Sequence, residues 1–173
     1  MRLTTAQQSQ LSVLWSVGLA MVLGAVIGLE REASDKPAGL RTHMLVAGAA
    51  TLVVALSDVM VRRFSTGLGS QLVRSDPTRI MEAVVTGVSF LGAGTIIRRS
   101  AGQQVEGLTT AASLLFTAGV GACAALSQMV LAVGATILVL ITLRGVGFAH
   151  SRLDEWLRRA SRHQSKMNDK ELG

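Results

Sequence analysis

Residues 27–46 read IGLEREASDKPAGLRTHMLV. The stretch places seven titratable side chains between two runs that are almost entirely apolar. The run before it, residues 11–29, and the run after it, residues 43–61, each have 19 residues. That is the length at which an α-helix crosses a hydrocarbon core of about 30 Å. Neither run alternates apolar with polar residues as a membrane β-strand would, and only a helix satisfies its own backbone inside a bilayer, so both are expected to be helices. The polar stretch is then the connector between two crossings, with Pro37 and Gly39 shaping its turn.

The rest of the chain extends this pattern. Of 173 residues, 49% are apolar and 16% charged, mean hydropathy is +0.45, and 18 glycines stand against two prolines. This is a membrane composition, in which glycine serves close helix approach. Further apolar segments at 77–97, 109–125 and 128–143 predict an all-α integral membrane bundle of about five transmembrane helices. Asp76 before Pro77 reads as the capped start of helix three, and Ser127 as the cap of helix five after a tight turn. The first apolar run is longer than a signal peptide's core and lacks a small-residue cleavage site, so it reads as a retained helix. The single cysteine, Cys123, excludes an internal disulfide framework.

Five crossings place the termini on opposite sides. Arg2, Arg62, Arg63, Arg74 and Arg79 fall on the side of the N-terminus, and the other twelve of the 17 basic residues fall on the far side. The positive-inside rule makes the far side cytoplasmic, with the N-terminus outside and the C-terminus inside. Beyond the transmembrane domain, residues 1–145, the segment 146–173 is polar and basic. Leu153, Trp156, Leu157 and Ala160 recur at helical spacing, which predicts a short basic amphipathic helix on lipid headgroups, followed by a polar tail. The +6 net charge is scattered through loops and tail, without the aromatic-laced basic face that nucleic-acid binding requires.

Chemistry is sparse. The sequence has no Walker A motif, no H-E-x-x-H and no paired cysteines, and His43, His150 and His163 have no nucleophile beside them, so no enzyme, catalytic residue or cofactor is expected. Helix three carries small residues at Ala83 and Gly87 and at Ser89 and Ala93, and helix four at Ala118 and Ala122 and at Gly121 and Ala125. Such faces predict close packing of helices three and four, or a homo-oligomer. Glu82 lies inside helix three, with Arg79 three residues earlier as the expected salt-bridge partner. Asp58, Asp76 and Glu82 fall on one predicted side and offer weak grounds for a hydrated magnesium ion, which local arginines oppose. No metal ligand set is assigned.

Three stretches, IGLERE...KPAGLRTHMLV, RIMEAVVTGVSFLGAGTII and VEGLTTAASLLFTAGVG, together resemble the signature of the MgtC/SapB family of bacterial inner-membrane proteins. The resemblance covers roughly residues 24–133. It implies a multi-pass inner-membrane protein with a periplasmic N-terminus, associated with adaptation to low magnesium and with virulence. It also implies that some members restrain the F-type ATP synthase through its membrane sector. Carried over by motif, the implied functional positions are Glu30, Arg31, Glu32, Lys36, Gly39, Arg41, Thr42 and His43 in the connector. In helices three and four they are Asp76, Arg79, Glu82, Gly87, Gly92, Gly94, Gly107, Thr109 and Thr110. The chain departs from the family pattern at Glu82 and Ala83, where a Gln is frequent, at Ser89 and at Leu115. It also reads as a short form without the C-terminal ACT-like domain.

The leading expectation is therefore a non-enzymatic membrane regulator whose partners are membrane lipid and another integral complex, with the ATP synthase membrane sector implied by the resemblance. A magnesium or other cation transporter and a structural dimeric module are the alternatives. A transporter should carry ionisable groups near the midplane, whereas the carboxylates here lie close to helix ends. The connector has three acids and three bases besides His43. An ordinary positive-inside loop does not need those acids, so a paired network at the membrane rim that includes Arg41 is expected.

Overall fold

A computed structural model describes residues 5–67, 77–98 and 105–145. The chain divides into two compact units, residues 1–137 and 138–173. The first contains α1 (Thr5–Ala33), α2 (Leu40–Gly67), α3 (Pro77–Ala93), β1 (Ile97–Arg98), β2 (Val105–Glu106) and α4 (Leu108–Ala125). A further helix, α5 (Met129–Gly145), begins in this unit. In the second unit the described residues are 138–145, helical, with the Thr142 hydroxyl donating to the Leu138 carbonyl at 2.9 Å. The amphipathic segment expected over 146–173, Asp76, and most of the loop after Gly67 lie outside the described residues.

Helices α1 and α2 overrun the apolar runs that predicted them, because helical backbone continues into the charged ends. At 29 residues α1 is about 44 Å long, more than a hydrocarbon core needs. It stops at a left-handed residue, Asp35 (φ 54°), whose N–H donates to the Glu32 carbonyl while that of Lys36 donates to Arg31. This pair of bonds satisfies the last carbonyls of the helix. The same device ends α4. Ser127 (φ 59°) donates its N–H to Ala124 and Gln128 donates to Cys123, so Ser127 closes helix four and is not the cap of helix five. The Gln128 carbonyl accepts the first bond of α5, from Ala132.

Helix three is shorter than expected. It ends at Ala93 instead of reaching Ile97, because the Thr95 N–H and hydroxyl both turn back onto the Gly92 carbonyl, at 2.9 and 2.7 Å. The chain then forms a two-residue antiparallel ladder, Ile97 opposite Glu106 and Arg98 opposite Val105, in an otherwise helical architecture. Gly107 follows at φ 95°, and a Cβ there would run into the Thr95 carbonyl, so this position takes glycine both for its backbone and for its space.

Three helices, Gln7–Ala33, Leu40–Val61 and Leu108–Ala125, are long and apolar enough to cross a membrane, and α5 is a shorter apolar helix. α3, at 17 residues, reaches about 26 Å. Large apolar side chains face outward on every helix, with Phe90 84% and Val130 91% exposed. Such a surface is stable only against lipid or protein. Inside, Ala38, Val46, Ala50, Leu114 and Ala118 form one cluster, with Val84 and Val88 of α3 packed on it, and Ala20, Ala47 and Ala124 form another.

Glycine sets the helix seams. Cβ atoms at Gly24 and Gly28 would lie 2.5 Å from the His43 carbonyl and 2.7 Å from Leu40 Cα, and one at Gly48 would lie 2.8 Å from Met21 Cγ, so α1 and α2 run antiparallel in close contact. Gly121 of α4 closes on the Ala47 carbonyl in the same way. The small-residue face of α4 therefore packs on α2, not chiefly on α3 as expected. α3 touches α4 closely at Gly92, where a Cβ would meet Ala111 at 3.1 Å, whereas Gly87 has nothing within 4 Å.

Candidate functional site at the polar end of the bundle

The α1–α2 connector and the start of α4 come together at one end of the first unit. Glu30 and Arg31, at the last turns of α1, are 6% and 4% exposed. Adjacent in sequence, they nevertheless bond to each other, Arg31 Nε to Glu30 Oε2 at 2.6 Å and Nη2 to Oε1 at 2.9 Å. The bidentate fork neutralises two charges that burial would otherwise make costly. Ser34 Oγ adds a third bond to Glu30 Oε1, at 3.0 Å. Glu32 points the other way. Its Oε2 accepts from the Leu40 N–H at 2.9 Å, capping the first turn of α2 from across the loop, and a Cβ on Gly39 would lie 2.7 Å from that oxygen.

His43, one turn into α2, is completely buried. Its Nδ1 lies 2.9 Å from the Gly39 carbonyl, which can only accept, so the proton resides on Nδ1. Its Nε2 lies 3.0 Å from Ser113 Oγ on α4. The Ser113 hydroxyl is also 2.8 Å from the Thr110 carbonyl, so its single proton faces two acceptors. Thr110 Oγ1, in a residue 1% exposed, is a buried polar atom with no hydrogen-bond partner among the described residues. Deeper in the bundle, Thr51 Oγ1 is 2.8 Å from both the Ala47 and Gly121 carbonyls, linking α2 to α4, and Thr117 bonds back to Ser113.

Of the residues singled out from the sequence, Glu30, Arg31, Glu32, Gly39, His43 and Thr110 thus take part in polar contacts at this end, in three sets: Glu30 with Arg31 and Ser34, Glu32 with the Leu40 N–H, and Gly39 with His43, Ser113 and the Thr110 carbonyl. The rest do not. Lys36 and Arg41 are exposed and form no ion pair among the described residues, so the rim network does not include Arg41 as expected. Thr42 is half-buried and Thr109 exposed. Arg79 and Glu82 are both exposed, and the salt bridge expected between them is not formed. Gly92, Gly94 and Gly107 shape the α3–α4 connection, and Gly87 opens onto a groove between α2 and α3. No group of three potential metal ligands occurs among the described residues, and Asp76, one of the three carboxylates of the cation site expected from the sequence, lies outside them.

Sequence reasoning missed Ser34, Thr51, Ser113 and Thr117. It also missed the Gly24-x-x-x-Gly28 seam, whose four-residue spacing is legible.

Antiparallel α1 and α2, an outward apolar surface and a buried polar end describe a multi-pass membrane protein. Residues 17–152 match the MgtC family, and the chain belongs to it. It is 36% identical over 151 residues to an uncharacterized protein of Haemophilus influenzae, covering 87% of this chain and 60% of that one. To the Protein MgtC of Salmonella typhimurium it is 42% identical over 122 residues, covering 70% of this chain and 46% of the relative. To the putative magnesium transporter YhiD of Escherichia coli it is 38% identical over 125 residues, 72% of this chain and 56% of that protein. The chain therefore spans roughly half of each of these relatives. No solved structure matches.

Proposed function

We propose that the chain is a non-enzymatic regulator in a bacterial inner membrane, which presents its polar end to another integral membrane complex. The α1–α2 connector then faces the cytoplasm, as the distribution of basic residues implies. The observation that carries this reading is the set of polar contacts at the bundle end, Glu30 with Arg31 and Ser34, Glu32 with the Leu40 N–H and His43 with Ser113, which holds the exposed connector residues in place. Rigid polar surfaces suit specific docking because little ordering is needed on contact. The partner implied by the family resemblance is the membrane sector of the F-type ATP synthase, and the working condition is low magnesium.

Cation transport is the competing reading, and the name of the Escherichia coli relative motivates it. The interior of the bundle opposes it. The Thr51, Thr117 and Thr136 hydroxyls donate to backbone carbonyls within reach, so they are satisfied locally and do not line a path.

Two measurements separate these readings. Liposomes containing the protein and a magnesium-sensitive dye should show no flux above empty vesicles, and ATP-driven proton pumping in bacterial membrane vesicles should change when the protein is present. Magnesium flux that disappears in Glu82→Gln would establish a transporter instead. Unchanged pumping across a range of protein levels would remove the ATP synthase as partner.

A further inference from the structure

A groove of about 520 Å³ runs between α2 and α3. Leu45, Ala49 and Val53 form one wall, Ala83, Gly87 and Leu91 the other, and Arg41 stands at one end. We propose that this groove seats one acyl chain of an anionic phospholipid, whose headgroup phosphate meets the Arg41 guanidinium.

The groove has the depth of one leaflet. From Arg41 to Val53 the helix rises about 18 Å, slightly more than half of a hydrocarbon core of about 30 Å. Arg41 is at the polar end of the apolar segment Leu40–Val61, so the groove descends from the interface through one leaflet. Gly92 against Ala111 and His43 against Ser113 place the Leu91 end of α3 beside the Arg41 end of α2.

A Cβ on Gly87 would meet nothing within 4 Å, and Ala49 and Ala83 are small, so side chains leave the groove open along this length. A helix about 10 Å across and 18 Å long displaces on the order of 1,400 Å³, far more than the groove offers. A single hydrocarbon chain about 4–5 Å wide displaces about 300 Å³ over the same length.

Arg41 is the only charged residue in the lining, it is exposed, and it forms no ion pair among the described residues. Two of the connector's three acids are engaged elsewhere, Glu30 by Arg31 and Glu32 by the Leu40 N–H, and the third, Asp35, is exposed and forms no ion pair with Arg41. Thr42 lines the groove beside Arg41 and adds a hydroxyl to the headgroup end. An apolar slot one leaflet deep with a lone cation at its mouth is complementary to an amphiphile bearing negative charge.

The test is native mass spectrometry of the full chain in detergent, equilibrated with equal amounts of phosphatidylglycerol and phosphatidylethanolamine. The wild type should retain phosphatidylglycerol about fivefold over phosphatidylethanolamine, the preference one interfacial arginine supplies. Arg41→Gln should still hold lipid but lose the preference. Gly87→Leu, which projects into open space and should leave the helices folded by circular dichroism, should retain less of both lipids; Ala83→Phe fills the same groove independently. Equal retention of the two lipids by the wild type, or a preference unchanged in Arg41→Gln, would overturn the headgroup assignment. Lipid retention unaffected by both filling variants would overturn the seat. If those variants instead dissociate a dimer without changing bound lipid, the groove holds a second copy of the chain and the proposal fails.

Discussion

Replacing Arg31 with Met removes the guanidinium that meets both oxygens of Glu30 at 2.6 and 2.9 Å, in a pair exposed to only 4% and 6%. Breaking a buried pair from one side leaves the partner's charge without its counter-ion, and the cost is about 3–5 kcal/mol. Removing both charges is different. Glu30→Met with Arg31→Met deletes the desolvation of two ions together with their attraction, and such replacements are neutral or stabilise by about 1–4 kcal/mol. Ser34 loses its acceptor in the double variant, but it is exposed and water can replace the bond. The double variant should therefore be more stable than either single one, with a coupling energy of several kcal/mol in a double-mutant cycle. Unfolding by a denaturing detergent in mixed micelles, followed by circular dichroism, measures each corner. If Arg31→Met costs less than about 1 kcal/mol, the pair behaves as a solvated surface contact and the burial argument is wrong.

Other outcomes follow from single groups in the same region. Ser113→Ala leaves His43 Nε2 buried without its partner and should cost about 1–3 kcal/mol in the same unfolding assay. Thr110→Val removes a buried hydroxyl that has no partner among the described residues and should raise stability by about 1 kcal/mol; if the effect on proton pumping falls while stability rises, that hydroxyl has a functional use. Gly28→Ala pushes a methyl to 2.7 Å from Leu40 Cα and should cost about 1–3 kcal/mol, whereas Gly87→Ala meets nothing and should gain up to about 1 kcal/mol from helix propensity. Melting followed by fluorescence-detected size exclusion would compare those two, and equal shifts would refute the seam assignment.

The membrane class and the order of the helices were legible because long apolar runs without alternation admit one kind of backbone. Their ends were not, since hydropathy marks where the lipid stops and not where the helix stops. Glu30, Arg31, Glu32 and Ala33 are compatible with helix, and the chain turns only where Asp35 adopts a left-handed conformation. Arg79 and Glu82 have the spacing of an ion pair, but such a pair is worth only about 0.2–0.5 kcal/mol on an exposed face, too little to dictate a rotamer. Pairing in the connector was expected among Glu30, Arg31, Glu32, Lys36 and Arg41; Glu30 and Arg31 pair with each other, Lys36 and Arg41 do not join them, and Ser34 and Ser113 were not foreseen. Ser113 is one hydroxyl in an apolar run, and nothing in its local sequence announces a histidine 70 residues away.

The connector's formal charges balance, and the structure keeps that balance both inside and outside. Arg31 and Glu30 cancel within the protein, and Glu32 is committed to the first turn of α2. The charges left facing outward are therefore Lys36 and Arg41 against Asp35 and Glu32, all exposed. The exposed part of the loop thus stays formally neutral, and of these four charges only Arg41 lines the groove. That cation stands where the groove opens, because Arg41 belongs to α2 and is held by a helix whose start Glu32 secures. The capping acid consequently matters for the groove as well as for the fold. Glu32→Ala should leave the Arg41 charge in place but loosen the first turn that aims it, so lipid preference should weaken in that variant while total lipid retention persists. A preference that survives Glu32→Ala unchanged would show that the guanidinium finds the headgroup without help from the cap.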